Sequence, residues 1–500
     1  MKKRSIIALI LALSMIMSAT SCGFVVINDL SGDKAPNGKE PDTQSDGNES
    51  ESADKYIKHD GDAKRAESED FLNELDGHYY DGAVFFITTP STDYISPEDT
   101  GDAVSKLAYE RNRDVEERFG VKIVTSVRET STLLEELKQA EKSESYYTDL
   151  LMIPVYMVGE YKVEDVLLNM RTIPFFDIDK PYFNKASSDM ASGGYSTFGV
   201  AGHASISPSS LSAVFMNKTL LTEAGVDISA LYRDASDGNW TFDMLLAYSE
   251  AVRSLNGTKL AADPDFAGYR TVTAQNTVGR LADLIFKASG NNFIITGRRR
   301  VPSVGYTVTS SKSTMEALAS IFGDEYAVTE DNTTAVSLFA EGGSAFLIDY
   351  LCVMPEISES GTDFGVLPLP MGEESDEYRT LVSNNELVFA IPKSHTNPEY
   401  AGVILSALNA ASYGYIYDEY VNYCMVNYLT DNESVGMLEC VIDSATFDFA
   451  LAFGNAYPEI ADATYKLIRE CVATGELEEY YIDRLKKAIK VMRENFDLVY

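Results

Sequence analysis

The chain has 500 residues, of which 45% are hydrophobic and 24% are charged, and its formal net charge is −36. This length exceeds what a single hydrophobic core usually serves, so the sequence predicts at least two domains. The acidic balance argues against a nucleic-acid partner and against binding to anionic lipid surfaces, because both select basic patches.

The first residues have the pattern of a lipoprotein signal peptide. Lys2, Lys3 and Arg4 precede an apolar run over 6–19, which is too short to span a bilayer. Small residues then precede Cys22, as in a bacterial lipobox, where the cysteine is lipidated after cleavage. We therefore predict a signal peptide over 1–22, with Cys22 as the lipid anchor. Ordinary signal cleavage beside an incidental cysteine is the alternative.

The next stretch, 23–76, is rich in Ser, Gly, Asp, Glu, Asn and Lys and has few apolar residues after Leu30. Such a composition cannot bury enough apolar surface to fold, so we predict a disordered tether between the anchor and a folded domain.

Strand and helix patterns alternate from about Tyr79 onward. The predicted elements are strands over 83–87, 121–127 and 149–155, with helices over 102–119 and about 133–140. Gly120 ends the first of these helices. This order predicts a parallel α/β lobe with right-handed crossovers.

A second lobe begins with an apolar strand over 211–216. Asn217 ends that strand and is a suitable helix N-cap, and Gly225 ends the helix because that position usually needs a positive φ. Thr241 is predicted to cap the next helix, and Trp240, the only tryptophan, to pack in the core.

The sequence also predicts elements farther along the chain. Residues 381–391 have the pattern of a returning strand, and Thr430 to Glu433 fit a capping box before a helix. A final helix is predicted over 477–496, with an apolar stripe on one face.

Several motifs stand in the order seen in one known family. They are Glu110-Arg111-Asn112, the IDKPYF segment at 178–183, Asn217-Lys218, Ala224-Gly225, Trp240-Thr241, LFAEGGSAF at 338–346 and DFGVLPLP at 363–370. From Tyr79 to the C-terminus the chain resembles the extracellular solute-binding proteins of ABC sugar-type importers (family 1, maltodextrin-binding-like). Where that family carries paired tryptophans, this chain has Tyr182-Phe183.

The resemblance implies an α/β, two-lobe, periplasmic-binding-protein-like fold (type II), with hinged lobes joined by crossing strands. Lobe 1 would comprise 77–205 and 385–445, and lobe 2 would comprise 206–384 and 446–500. Crossings are expected near 205–214, 382–388 and 445–455.

The resemblance also implies a function. The protein would capture a solute, above all an oligosaccharide, and deliver it to the permease subunits of an ABC importer. It would be a monomer with no enzymatic activity, cofactor or metal, and it would meet the membrane only through its lipid.

Two other classes stay open at this point. One is a lipid-anchored glycan-binding or sensor protein without a transporter, and the other is a secreted hydrolase, which would need a close pair of acids. Neither nucleophile motifs nor metal-ligand spacings occur in the sequence. The cysteines Cys352, Cys424, Cys440 and Cys471 allow either disulfides or buried thiols.

Ligands of α/β lobes meet the loops at the carboxyl ends of strands, so the interlobe cleft is the expected site. The expected cleft residues are Thr88, Thr89, Asp93, Tyr94, Tyr156, Tyr182, Asp349, Tyr350, Asn384, Asn385, Asn455 and Tyr457. Asn384 and Asn385 fit a second role equally well, that of capping the hinge backbone. His203, just before the first crossing, would either face the cleft or be an ordinary loop residue.

Overall fold

The computed structural model describes residues 61–92, 94–97, 103–205, 207–255, 268–275, 280–296, 301–322, 328–330, 332–372, 375–383, 385–460 and 479–495. Cys22 and the tether up to residue 60 lie outside this set, and so do Asp93, Asn384 and Cys471. Among the described residues, no helix has both the length and the apolar character needed to cross a membrane.

The strands, in chain order, are β1 (Ala83–Thr89), β2 (Val121–Val127), β3 (Leu150–Pro154), β4 (Phe183–Asn184), β5 (Ser192–Gly193), β6 (Ser196–Thr197), β7 (Ala201–Gly202), β8 (Ser212–Asn217), β9 (Arg270–Gln275), β10 (Ile294–Thr296), β11 (Pro302–Val304), β12 (Val328–Glu330), β13 (Ser344–Tyr350), β14 (Phe364–Leu367), β15 (Thr380–Leu381), β16 (Leu387–Ala390) and β17 (Ala445–Thr446).

The helices are α1 (Gly61–Asn73), α2 (Ala103–Phe119), α3 (Thr130–Lys142), α4 (Val158–Val163), α5 (Lys185–Met190), α6 (Lys218–Glu223), α7 (Ile228–Ser236), α8 (Phe242–Val252), α9 (Arg280–Ala288), α10 (Lys312–Phe322), α11 (Asn332–Ala340), α12 (Met354–Ser360), α13 (Pro398–Ala410), α14 (Ile416–Asn427), α15 (Asn432–Asp443), α16 (Phe449–Gly454) and α17 (Glu479–Asn495).

Lobe 1 is built on a four-stranded sheet in the order β16-β3-β1-β2. β1 pairs in parallel with β2 and β3, and β16 joins β3 antiparallel. Gly120, at φ 61°, makes the turn from α2 into β2, a conformation that glycine adopts without strain. The predicted β–α–β–α–β order of this lobe is confirmed, with boundaries within a few residues of those expected.

Lobe 2 is built on a five-stranded sheet in the order β12-β9-β13-β8-β14. All six residues of β8 are buried, as the apolar run predicted. Asn217 caps α6 by accepting from the Leu220 amide at 3.0 Å, and Thr241 caps α8 by accepting from the Met244 amide at 3.4 Å. The Trp240 side chain is fully buried and donates to the Pro368 carbonyl at 3.0 Å.

Three segments of chain between the lobes are hydrogen-bonded to one another, and we call 210–212, 380–383 and 444–446 the hinge ribbon. Leu211 bridges Val382 antiparallel, and β15 pairs in parallel with β17. The Ser212 hydroxyl donates to the Leu381 carbonyl at 2.9 Å. The segments therefore support one another through a two-stranded sheet and one antiparallel bridge.

The single strand predicted over 381–391 is wrong. β15 ends at Leu381 and pairs within the hinge ribbon, whereas β16 begins at Leu387 and belongs to the lobe 1 sheet. Between them the Glu386 amide donates to the Ser383 carbonyl at 3.1 Å, which makes a turn. Because the run over 381–391 is apolar at both ends, the sequence did not indicate that β15 and β16 pair with different strands.

The prediction of a tether reaching residue 76 is also wrong, because 61–73 forms α1. The Ser68 hydroxyl donates to the Ala410 carbonyl at 2.7 Å, at the end of α13. The ring of Phe71 contacts that of Tyr182, with centroids 5.3 Å apart, and Arg118 is ion-paired with Glu69 at 2.7 Å. Contacts with lobe 1 stabilise a helix that its polar composition did not predict.

The predicted boundary of lobe 1 at residue 445 needs a correction, because α15 packs on lobe 2. The Ser434 hydroxyl bonds the Tyr232 hydroxyl at 2.7 Å and accepts from the Val366 amide at 3.1 Å. The N-cap of α15 is Asp431, which accepts from the Ser434 amide at 2.6 Å, and not Thr430 as predicted. Asp431 also pairs with Lys218 of α6, and this tertiary contact favours it as the cap.

The final helix, α17, agrees with its prediction over Glu479–Asn495. Leu485, Ile489 and Met492 on its apolar stripe are buried, and Arg493 donates to the Pro302 carbonyl of β11 at 2.8 Å. Residues 477, 478 and 496 of the predicted helix lie outside the described residues.

Candidate functional site

The carboxyl end of β1 carries the first predicted cleft residues. Thr88 and Thr89, the last two residues of β1, are buried. The Thr89 hydroxyl donates to the Ser91 carbonyl at 2.7 Å, which makes a turn at the end of the strand. Tyr94, five residues farther on, is half-buried, and its hydroxyl donates to the His203 carbonyl at 3.1 Å. The loop after β1 is thus joined to the segment that leads into the first crossing.

His203 belongs to a group of rings that we call the aromatic wall, made of Tyr94, His203 and Tyr417. The imidazole of His203 stacks on the Tyr417 ring, with centroids 4.5 Å apart and planes at 20°. Burial lowers the pKa of His203 to about 3, helped by the positive charge of Lys64, so the imidazole is neutral. In this structure the His203 ring packs on Tyr417 beside the first crossing.

Tyr417 was not predicted as a site residue. It lies on α14, more than 300 positions from Tyr94 in the chain, and its ring is half-buried. Burial raises the pKa of the Tyr94 and Tyr417 hydroxyls, and the negative charge of Glu386 raises each pKa further. The only sequence signal was the pair of tyrosines at 417 and 420, spaced to share a helix face.

Glu386 is a second residue that sequence reasoning missed. Glu386 is only 9% exposed, and its Oε1 accepts a hydrogen bond from the Ser207 amide at 2.9 Å. This bond joins the first and second crossings on the lobe 1 side of the hinge ribbon. The neighbouring predicted residue, Asn385, is exposed, and its amide donates to the Ser383 hydroxyl at 3.4 Å.

Tyr156 lies in the short 3₁₀ turn that follows β3, at the same edge of the sheet as the loop after β1. Its ring is half-buried, and burial together with the charge of Glu160 raises the pKa of its hydroxyl. Tyr156 therefore presents part of an aromatic face at the expected edge.

Asp349 and Tyr350 end β13, where they pair with Ala213 and Ser212 of β8 beside the first crossing. Asp349 is 2% exposed, and its Oδ1 accepts from the Tyr350 amide at 2.7 Å, while the Tyr350 ring is half-buried. The strand end thus brings a carboxylate and a phenol to the lobe 2 side of the hinge ribbon.

The remaining predicted site residues have packing roles or lie apart. Tyr182 is 3% exposed and its ring contacts Phe71 and Phe183 in the lobe 1 core. Tyr457 is 5% exposed, and its hydroxyl accepts from Asn495 of α17 at 3.2 Å. Asn455 is exposed at the end of α16. In this conformation neither buried ring is open to a solute.

The residues at the strand ends beside the hinge ribbon offer aromatic faces, hydroxyls and carboxylates. Such groups bind polar solutes by stacking and hydrogen bonding. Within the described part of the chain, no three His, Cys, Asp or Glu side chains are arranged to hold a metal ion. None of the described cysteines, Cys352, Cys424 and Cys440, is part of a disulfide.

Comparisons with known proteins agree with this architecture. A family model described as bacterial extracellular solute-binding protein matches residues 111–427. The fold is similar to the crystal structure of a cyclic α-maltosyl-1,6-maltose binding protein from Arthrobacter globiformis, with a TM-score of 0.56 and 13% identity over 83% of this chain and 100% of that chain. It is also similar to a cyclo/maltodextrin-binding protein complexed with maltotetraose, with a TM-score of 0.53 and 15% identity over 83% of this chain and 98% of that chain.

A comparison with curated protein sequences found no match. At the identities of the two crystal structures, the likeness shows the fold alone. The predicted two-lobe α/β fold is thereby confirmed.

Proposed function

The chain belongs to the bacterial extracellular solute-binding proteins, and from this premise we propose that it captures an oligosaccharide between its lobes and delivers it to an ABC importer. Membership confirms the prediction of a binding protein rather than an enzyme. It also implies an extracellular or periplasmic location.

The carbohydrate part of the proposal is carried by the aromatic wall at the carboxyl end of β1. Tyr94 and Tyr417 are half-buried rings, and the apolar C–H faces of a sugar stack on such rings while its hydroxyls bond nearby polar groups. Trp240, the only tryptophan of the sequence, is fully buried in the core. The maltodextrin-type ligands named for the two similar structures add support.

The proposed mechanism is closure about the hinge ribbon. A solute that contacts both lobes only in the closed form shifts the population toward that form, and the permease then recognises it. The hydrogen bonds within the hinge ribbon would let its three segments move as a unit.

The proposal includes a lipid anchor on Cys22. The signal peptide and lipobox pattern support it, and the polar residues before α1 would hold the lobes away from the membrane.

A thermal-shift screen tests the carbohydrate proposal, with maltotetraose and other oligosaccharides set against peptides and polyols. A ligand at a hundred times its Kd adds about 2.7 kcal/mol to the free energy of unfolding. We expect at least one oligosaccharide to raise the Tm. If only a peptide or a polyol does so, the carbohydrate assignment is wrong although the chain remains a solute-binding protein.

A further inference from the structure

Arg111, in α2, is a fully buried arginine with an unusual set of partners. Its Nη2 donates to the Ile95 carbonyl at 2.7 Å and, at 3.5 Å, to the Tyr94 carbonyl. Nη1 donates to the Ser412 hydroxyl at 3.2 Å, and Nε donates to Asn112 Oδ1 at 3.0 Å. Among the described residues, every hydrogen-bond acceptor of this guanidinium is therefore a neutral group.

Burying a cation without an acidic partner is costly, because its charge leaves water and is offset only by dipoles. Burial accordingly lowers the pKa of Arg111 to about 10. A methionine of similar length would fill the space without this cost, so packing alone does not account for an arginine here. The planar guanidinium has several N–H donors in a fixed geometry, so it can hold several acceptors in one arrangement.

Apart from Asn112 Oδ1 on the same helix, the acceptors belong to two separate segments, each of which leads to a tyrosine of the aromatic wall. Tyr94 and Ile95 lie in the loop after β1, and the Ile95 carbonyl also accepts from Asn112 Nδ2 at 2.8 Å. Ser412 lies in the turn between α13 and α14, five residues before Tyr417. Arg111 thus joins the loop that carries Tyr94 to the turn that leads to Tyr417.

We propose that Arg111 is a positioning residue for solute binding, which sets the spacing of Tyr94 and Tyr417 without touching the solute. This inference rests on the proposed function, because it takes the aromatic wall as the face that meets the ligand.

The decisive variant is Arg111→Lys, which keeps the charge but cannot bond both segments from one rigid plane. We expect it to weaken maltotetraose binding about tenfold by calorimetry. Arg113→Lys is the matched control, since Arg113 is exposed on the same helix, and its affinity should stay within twofold of wild type.

A double-mutant cycle separates positioning from a general loss of stability. In a Tyr94→Ala background, Arg111→Lys should lower the affinity less than threefold, because one of the two rings it aligns is gone. An equal tenfold loss in both backgrounds would overturn the proposal, as would wild-type affinity in Arg111→Lys itself.

Two further measurements add a second variant and a second readout to the test. Ser412→Ala removes the bond from Arg111 to the α13–α14 turn, together with the bond that the Ser412 hydroxyl donates to the Leu408 carbonyl. It should weaken binding in the same direction by a smaller factor. Amide hydrogen exchange over 90–97 should speed up in Arg111→Lys and stay unchanged in Arg113→Lys.

If wild-type protein binds no oligosaccharide, the proposed function fails, and hydrogen exchange then decides the role of Arg111. Unchanged exchange over 90–97 in Arg111→Lys would overturn the positioning role, whereas faster exchange there would support it.

Discussion

Tyrosines that look alike in the sequence differ in what they contact, and this difference governs how each will respond to substitution. Tyr156 is half-buried at the end of β3, whereas Tyr457 is 5% exposed and bonded to Asn495. We propose that Tyr156 meets a solute, whereas Tyr457 holds α17 against the segment after α16.

We predict that Tyr156→Ala weakens maltotetraose binding by about 1 kcal/mol or more, the scale of a lost stack or hydrogen bond, with little change in the Tm of the free protein. Tyr457→Ala should instead lower that Tm, since truncating a buried aromatic costs about 3–5 kcal/mol. Calorimetry and thermal melts measure the two effects. Unchanged affinity in Tyr156→Ala would remove this residue from the site.

Asp349 calls for a similar distinction. Because it is 2% exposed and accepts from the Tyr350 amide, Asp349→Ala is expected to lower both affinity and Tm. Calorimetry and a thermal melt of this variant are therefore made together, so that a loss of affinity is compared with the loss of stability.

Gly159 of α4 marks a close approach between two helices. A Cβ built there would lie 2.9 Å from the Phe453 Cα of α16, a backbone atom that cannot move aside cheaply. We predict that Gly159→Ala lowers the free energy of unfolding by about 1–3 kcal/mol in denaturant melts. Val163→Ala, at an exposed position of the same helix, is the control and should stay within about 0.5 kcal/mol. A Gly159→Ala protein as stable as this control would mean that the two helices separate readily.

At the scale of elements, α1 shows how contacts with distant segments stabilise a polar helix. It is joined to α2 through the Glu69–Arg118 ion pair at 2.7 Å and to the end of α13 through Ser68. Phe71 adds ring contacts with Tyr182 and Tyr413, at centroid distances of 5.3 and 5.7 Å. None of these partners lies near α1 in the chain.

We predict that a chain beginning at Gly77 is less stable than one beginning at residue 60, by at least about 2 kcal/mol, because it lacks the apolar contacts of Phe71 and Leu72. Thermal melts of the two proteins make the comparison. The chain that begins at residue 60 should melt like the mature protein. Equal melting of all three would show that the contacts of α1 contribute nothing to stability.

At the scale of the whole molecule, membrane attachment and solute capture are expected to be separable. The proposed anchor is Cys22, and the described fold begins at residue 61. We predict that Cys22→Ala releases the protein from the membrane fraction while its Tm and its affinity for solute stay unchanged. Fractionation tests the first part, and a variant that remains in the membrane fraction would contradict the lipid anchor.

Local signals in the sequence determined much of the fold. Apolar runs predicted β1, β2, β3 and β8, and the caps at Asn217 and Thr241 were read correctly because N-capping acts over three residues. The family resemblance then predicted the two lobes. The candidate site was predicted only in part, through Tyr94, Tyr156 and the end of β13, because strand ends can be located from the sequence.

Tertiary structure alone decided which distant segments meet. The apolar run over 381–391 divides between two sheets, and α15 packs on lobe 2, because strand and helix partners are chosen by surfaces far away in the chain. The same holds for the aromatic wall, in which Tyr417 comes to lie beside His203, and for Arg111, which reaches Ser412. Sequence periodicity records which face of an element is apolar, but not what that face will contact, and the binding site depends on those contacts.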